Sequence, residues 1–267
     1  LTGLAFAATA IEVTGAVAQT AAHATTEQTA ATAGLPVIEL FTSQGCSSCP
    51  AADALFEHYA KRRDIVALSY SVDYWDYLGW KDTLAQPRFS ERQRAYAKAR
   101  GDGMVYTPQV VIGGQMHVNG ARKTEIGAAL EKAARTAATD TALVKASVDQ
   151  GDAVIEIGAA SSPPAKGATV WLIAVSRSVT IAVTRGENVG KSLTYFNVVR
   201  DLMPLGMWTG KAMNVRLDHQ SFVRPGADAY AVIVQTGHAG AVISAAWLPG
   251  RFTAETAKPT ASSMRAN

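Results

Sequence analysis

The sequence predicts an α/β domain over residues 35–139, a mixed sheet flanked by helices, followed by an all-β, sandwich-like domain over residues 140–250. Three features carry that reading. From Val37 to Ala137, β-type apolar runs alternate with helical periodicity in the order βαβαββα. From Thr141 the pattern changes to short β-type runs divided by turn signals. With 267 residues, nearly half of them apolar, the chain holds material for two modest cores.

The first strand, Val37-Ile38-Glu39-Leu40-Phe41-Thr42, runs into Ser43-Gln44-Gly45-Cys46-Ser47-Ser48-Cys49-Pro50. Pro50 suits the first turn of a helix, where its missing N–H has no partner to lose, and Leu55, Phe56 and Tyr59 then share one face as far as Arg63. Ile65–Val72 is a β-branched second strand, parallel to the first. The aromatic segment Asp73–Trp80 leaves the sheet at the carboxyl edge, where open α/β sheets bind ligands. Asp73 and Trp75 there are candidate substrate contacts; the alternative is that the aromatics fill space beneath a long connection. A helix is expected over Ser90–Arg100, with Ser90 and Gln93 as a capping box and Gly101 as its stop. A strand from Tyr106, a Gly113-Gly114 turn, a strand over Gln115–Val118 and a helix over Thr124–Ala137 complete this half.

Short strands follow at Ala142–Val148, Ala153–Ile157, Thr169–Val175, Val179–Thr184, Ala212–Leu217, Ala229–Gln235 and Ala241–Trp247. The longest connection, Arg185–Gly210, contains Gly186-Glu187-Asn188, and it offers Asn197 and Arg200 either as a buried polar anchor or as a partner contact.

At the other end of the chain, Leu1–Ala18 is small and apolar, with one acid, Glu12, and closes on Ala16-Val17-Ala18. It reads as a signal segment entered partway, since no Met or basic n-region precedes it. The expected location is periplasmic or secreted, with residues 19–34 a flexible leader and residues 251–267 a disordered tail. Glu12 and the Gly, Thr and Ala content argue against a stable membrane span in the mature protein. Lys and Arg exceed Asp and Glu by only 25 to 22, with no long basic block, which excludes nucleic acid as the expected partner. The cluster Arg88, Arg92, Arg94, Lys98 and Arg100 reads as a solvated helix face.

The chemistry centres on Cys46 and Cys49, the only cysteines in the chain. At the mouth of a helix, free backbone N–H groups and the positive dipole end stabilise a thiolate, so Cys46 is the expected nucleophile. Cys49, one turn further in, can resolve a mixed disulfide at Cys46, and the pair forms a two-electron redox unit. A structural disulfide is the rival reading, although so short a loop makes a weak staple. Two thiols also suit Cu(I) but fall short of a structural zinc site. His58 lies about 13 Å along the helix from Cys49, too far to share a metal, which leaves His117 alone as a possible further ligand. Neither a metal nor another cofactor is expected, and no Gly-x-Ser-x-Gly elbow suggests a hydrolase.

The Cys-x-x-Cys at a strand-to-helix turn, with Thr107-Pro108 entering a later apolar strand and its Gly-containing hairpin, resembles the thioredoxin and glutaredoxin fold. The string from Glu39 to Pro50, with Val72–Asp76 and Tyr106–Gln109, also resembles a family of secreted bacterial thioredoxin-like proteins catalogued as a domain of unknown function, over residues 35–248. The resemblance implies that Pro108 is cis and lies against the cysteines, and that Thr107 offers backbone groups to an extended substrate. It implies thiol–disulfide exchange with protein thiols of the cell envelope. A non-catalytic binding module and a copper-delivery protein are the alternatives. Thioredoxins carry Trp before the first Cys and Gly-Pro between the two; here stand Gly45 and Ser47-Ser48, so a reduction potential does not transfer. Their buried acid has its nearest counterpart in Glu39, one residue farther from the first Cys. Glu39 is accordingly either a proton acceptor for Cys49 or a partly exposed strand-end acid, depending on which face alternation gives it.

Overall fold

In the computed structural model the chain is a mixed α/β protein built on one large sheet. The structure describes residues 34–137 and 143–252; the expected signal segment, nearly all of the leader, and the tail from Thr253 onward lie outside the described residues. In chain order the elements of the first half are β1 (Val37–Thr42), α1 (Pro50–Ala60), β2 (Val66–Ser71), a 3₁₀ turn at Asp76–Leu78, α2 (Pro87–Arg100), β3 (Gln109–Ile112), β4 (Met116–Asn119) and α3 (Lys123–Ala137). There follow β5 (Val144–Asp149), β6 (Asp152–Ile157), β7 (Ala168–Ala182), β8 (Ser192–Trp208), β9 (Met213–Leu217), a short α4 (His219–Phe222), β10 (Ala229–Thr236) and β11 (Val242–Leu248).

The sheet does not stop at the expected boundary near residue 140. Eight strands run in the order β11-β10-β7-β8-β2-β1-β3-β4, and a second sheet of three, β5-β6-β9, stands apart. β1 and β2 are parallel, β3 and β4 continue antiparallel, and β2 meets β8 in parallel at Ser69 and Val198. The connecting strand is the segment expected to be a long connection. β8 pairs with β7 along nearly its whole length, with two register shifts near Trp171 and Val175. Pro204, Gly206 and Asn197 disguise it, because each is a residue that normally interrupts a strand. At Asn197 the backbone takes φ 48°, and the side-chain amide donates to the Ala67 carbonyl at 2.9 Å and the Ala60 carbonyl at 3.3 Å. Of the two residues read as a polar anchor, Asn197 is thus the buried one, and its amide bonds β2 where the ladder is distorted.

Side-chain alternation sorts the core into layers. Ile38, Leu40, Val110 and Ile112 face α1 and α3, meeting Phe56, Tyr59 and Ile126. The other face packs Phe41, Tyr70, Ile173 and Ile233 against Phe89 and Tyr96 of α2. On the second half of the sheet, Leu172, Val232 and Leu248 pack against Val144, Ile155 and Ile157 of the small sheet. The packing of the small sheet on the large one is local to that half, and the large sheet continues into the first half. Phe252, placed in the tail by the sequence, is buried and meets Phe222 edge-on at 5.4 Å.

Helix α2 begins at Pro87, a turn before the expected capping box, so Ser90 and Gln93 do other work. The Ser90 hydroxyl donates to Asp73, and the Gln93 amide donates to Gln109 Oε1 and the Tyr106 carbonyl, both at 2.8 Å. Arg92 is not on a solvated face; it is buried and ion-paired. Among the described residues, no helix is long and apolar enough to cross a membrane.

Candidate functional site

The site forms where β1 ends and the chain must turn into α1. The Cys46 N–H donates to the Ser43 carbonyl and the Cys49 N–H to the Cys46 carbonyl, each at 3.2 Å, which winds the cysteines into one tight turn. Cys49 caps α1 and accepts the first helical bonds from Ala52 and Asp53. The two cysteines are joined as a disulfide with Cα atoms 5.4 Å apart. Cys49 is fully buried and Cys46 3% exposed, while Ser47 and Ser48 are exposed; Ser48 Oγ lies 3.5 Å from the Cys46 sulfur.

Three of the sequence-predicted residues gather around this turn. A Cβ added at Gly45 would stand 3.1 Å from both Trp75 Cβ and the Trp75 carbonyl oxygen, so a larger residue there would have to push Trp75 back by a few tenths of an ångström. Trp75 Nε1 donates to Thr107 Oγ1 at 2.7 Å, and the Thr107–Pro108 peptide is cis. Pro108 and Ala52, in the first turn of α1, both pack on Gly120: a Cβ there would lie 3.1 Å from each of their Cβ atoms. Tyr77, exposed, stacks on Trp75 with ring centroids 6.3 Å apart.

Two other predicted residues are elsewhere. Asp73 turns to α2, where the Ser90 hydroxyl is its partner. Glu39 has the parity of Val37 and Phe41 and so points to the α2 face, opposite the cysteines. There it is fully buried, paired with Arg92 Nε at 2.8 Å and bonded by the Tyr96 hydroxyl. That side of the sheet gives it no route to Cys49.

The acid on the cysteine side is Asp53, which sequence reasoning missed. It sits one helical turn after Cys49 and is buried with Ala52 and Phe56 on the inward face of α1. Thr42, the last residue of β1, donates its hydroxyl to Asp53 Oδ1 at 2.7 Å, while Oδ2 has no hydrogen-bond partner. Burial pushes the Asp53 carboxyl up to about 8, against the lowering effect of the Thr42 bond. A second buried acid, Asp82, is pushed up to about 6 by burial, opposed by the Gln44 and Leu84 N–H groups that bond it. The Tyr195 hydroxyl is likewise buried and unpartnered, and burial raises its pKa, with Asp53 and Asp82 adding to the shift. The missed signal was an acid at the i+4 position from Cys49, on an apolar helical stripe.

Gln44 holds the turn from behind. Its N–H donates to Asp82 Oδ2 and its Oε1 accepts from Trp80 Nε1, both at 2.8 Å. Asn188 Nδ2 also donates to the carbonyls of Gln44 and Cys46, both at 2.9 Å. His117 is engaged away from the cysteines: Nδ1 lies 2.9 Å from the Tyr106 hydroxyl and Nε2 3.4 Å from Asp102. Among the described residues no group of three or more His, Cys, Asp or Glu side chains is placed to hold a metal.

Similar architectures exist. A crystal structure of a protein from Agrobacterium tumefaciens superposes with a TM-score of 0.69 at 35% identity, over 80% of this chain and 94% of that one. HBP35 of Porphyromonas gingivalis superposes with a TM-score of 0.56 over 88% of this chain and 79% of that one; at 12% identity it is a likeness of fold alone. No curated protein matches the sequence. The family model described as protein of unknown function (DUF1223) matches residues 37–235, and the chain belongs to that family.

Proposed function

We propose that this protein is an exported thiol–disulfide oxidoreductase with a thioredoxin-like redox corner, acting on protein thiols and disulfides of the cell envelope. One assembly carries the reading. A cysteine pair at the N-terminus of α1 lies in a turn packed on Trp75, which holds Thr107 beside a cis proline, and a half-satisfied acid sits one turn deeper in the helix. Export rests on the Ala16-Val17-Ala18 pattern.

In the reducing direction the Cys46 thiolate, stabilised by the helix mouth, attacks one sulfur of a partner disulfide. A Cys46–partner S–S bond forms, and the partner's other sulfur leaves as a thiolate. The Cys49 thiol then passes its proton to ionised Asp53 and attacks the Cys46 sulfur. The Cys46–Cys49 bond forms as the partner's second thiolate departs. Two electrons have moved from the dithiol to the partner, whose thiolates take up two protons. Run backwards, the same steps oxidise a partner dithiol.

The test is capture. Cys49→Ser removes the resolving thiol and accumulates a reductant-sensitive adduct with an envelope protein on non-reducing gels, while Cys46→Ser accumulates none. The wild-type protein is expected to reduce insulin. If Cys49→Ser stays free under oxidising growth, the pair is a resting disulfide in a binding module.

A further inference from the structure

The turn between β7 and β8 reaches across to the cysteines, and its tip carries Asn188, fully buried. It is placed there by a close fit: Gly186, at φ 74°, lies with its Cβ position 3.1 Å from Trp80 Cβ. The orientation of the Asn188 amide is unambiguous on chemical grounds. Lys191 Nζ, which can only donate, lies 2.8 Å from Oδ1, and two carbonyls, which can only accept, lie 2.9 Å from Nδ2.

We propose that Asn188 is a positioning residue for the attacking thiolate of Cys46, delivered by the second half of the chain. The inference rests on the reading of Cys46 as the nucleophile. The Cys46 carbonyl, a negative dipole on the same residue as the sulfur, accepts from both the Cys49 N–H and Asn188. With both lone-pair directions occupied, the carbonyl is offset electrically and cannot swing toward the sulfur. The peptide plane that follows Cys46 is thereby held, and with it the turn that brings Ser48 Oγ to 3.5 Å from the Cys46 sulfur. Lys191 strengthens the arrangement by polarising the amide. The other charged groups around the turn are Asp82, behind Gln44, and Asp53, inside α1; both remain in every variant below.

The experiment reads the thiol directly, with no enzyme assay. In fully reduced protein, alkylation of Cys46 by iodoacetamide is followed against pH, with peptide mass spectrometry separating it from Cys49. Asn188→Ala slows alkylation at pH 7 about fivefold and moves the profile to higher pH, the loss expected for one hydrogen bond. Asn188→Asp, nearly the same shape but turning acceptors toward two carbonyls, slows it further. Lys191→Met, at an exposed position, slows it roughly twofold. A purely structural role predicts another order: thermal stability falls most in Asn188→Ala, and the alkylation profiles coincide with wild type. That result overturns the proposal. If Asn188→Ala does not fold, Lys191→Met decides alone, a slowed profile supporting the proposal and an unchanged one overturning it. Failure of the oxidoreductase reading shows separately, as an absent adduct and no insulin reduction.

Discussion

Glu39 and Asp53 are both buried acids that flank one sheet, yet their surroundings give them opposite roles. Glu39, on the α2 face, is met by a guanidinium and a phenol, and Arg92 continues to Gln235 of β10 at 3.1 Å. Asp53, on the α1 face, has a single hydroxyl and one empty oxygen. A buried acid with every partner supplied is a strut between elements. One left short keeps its proton near neutrality and can exchange it.

The hardest blow to this contrast falls on the strut. Arg92→Met strands an uncompensated carboxylate in the core and is expected to cost about 3–5 kcal/mol, read as a lower urea midpoint. A cost near zero would show Glu39 reaching water or another cation. Asp53→Asn tests the other side, slowing resolution of the mixed disulfide at pH 8 by about a hundredfold. It also changes the pH dependence of stability. Because the folded pKa is raised from 3.8 to about 8, the folded state keeps a proton that the unfolded state has lost, so stability falls as pH rises through that window. Asp53→Asn flattens that slope above pH 6, beyond the window of Asp82, which ends near there; an unchanged slope between 6 and 8 would show that Asp53 is not its source. The smallest effect belongs to Asp73→Ala, which loses the Ser90 bond and about 1 kcal/mol, with adduct trapping unaltered. A loss of trapping there would restore Asp73 as a substrate contact.

Much of the cysteine turn was legible in the sequence. The β1–turn–α1 register follows from an apolar run, the cysteines and Pro50, and the cis peptide follows from the resemblance carried by Thr107-Pro108. Glu39 stood between two roles, and its parity, shared with Phe41 and not with Leu40, gives it neither: it is buried on the α2 face with Arg92. Asp53 was readable as an acid on the Ala52–Phe56 stripe. Asn188 was not, since it is 142 residues from Cys46 and only folding brings the two together. β8 hid for a local reason: Asn197, Pro204 and Gly206 break the pattern, while pairing with β7 and β2 supplies what local propensity lacks.

The seam between β2 and β8 has a consequence for how the chain can be cut or made. A fragment ending at residue 139 would carry every residue of the cysteine motif and the cis proline, and would look complete by sequence. It would nonetheless expose the edge of β2, a row of unpaired backbone groups open to other chains. Its Arg92 would lack Gln235 and its Cys46 carbonyl would lack Asn188. During synthesis the same vacancy persists until the residues of β8 emerge, so the cysteine turn reaches its final form only after much of the second half has been made, although its cysteines are made well before.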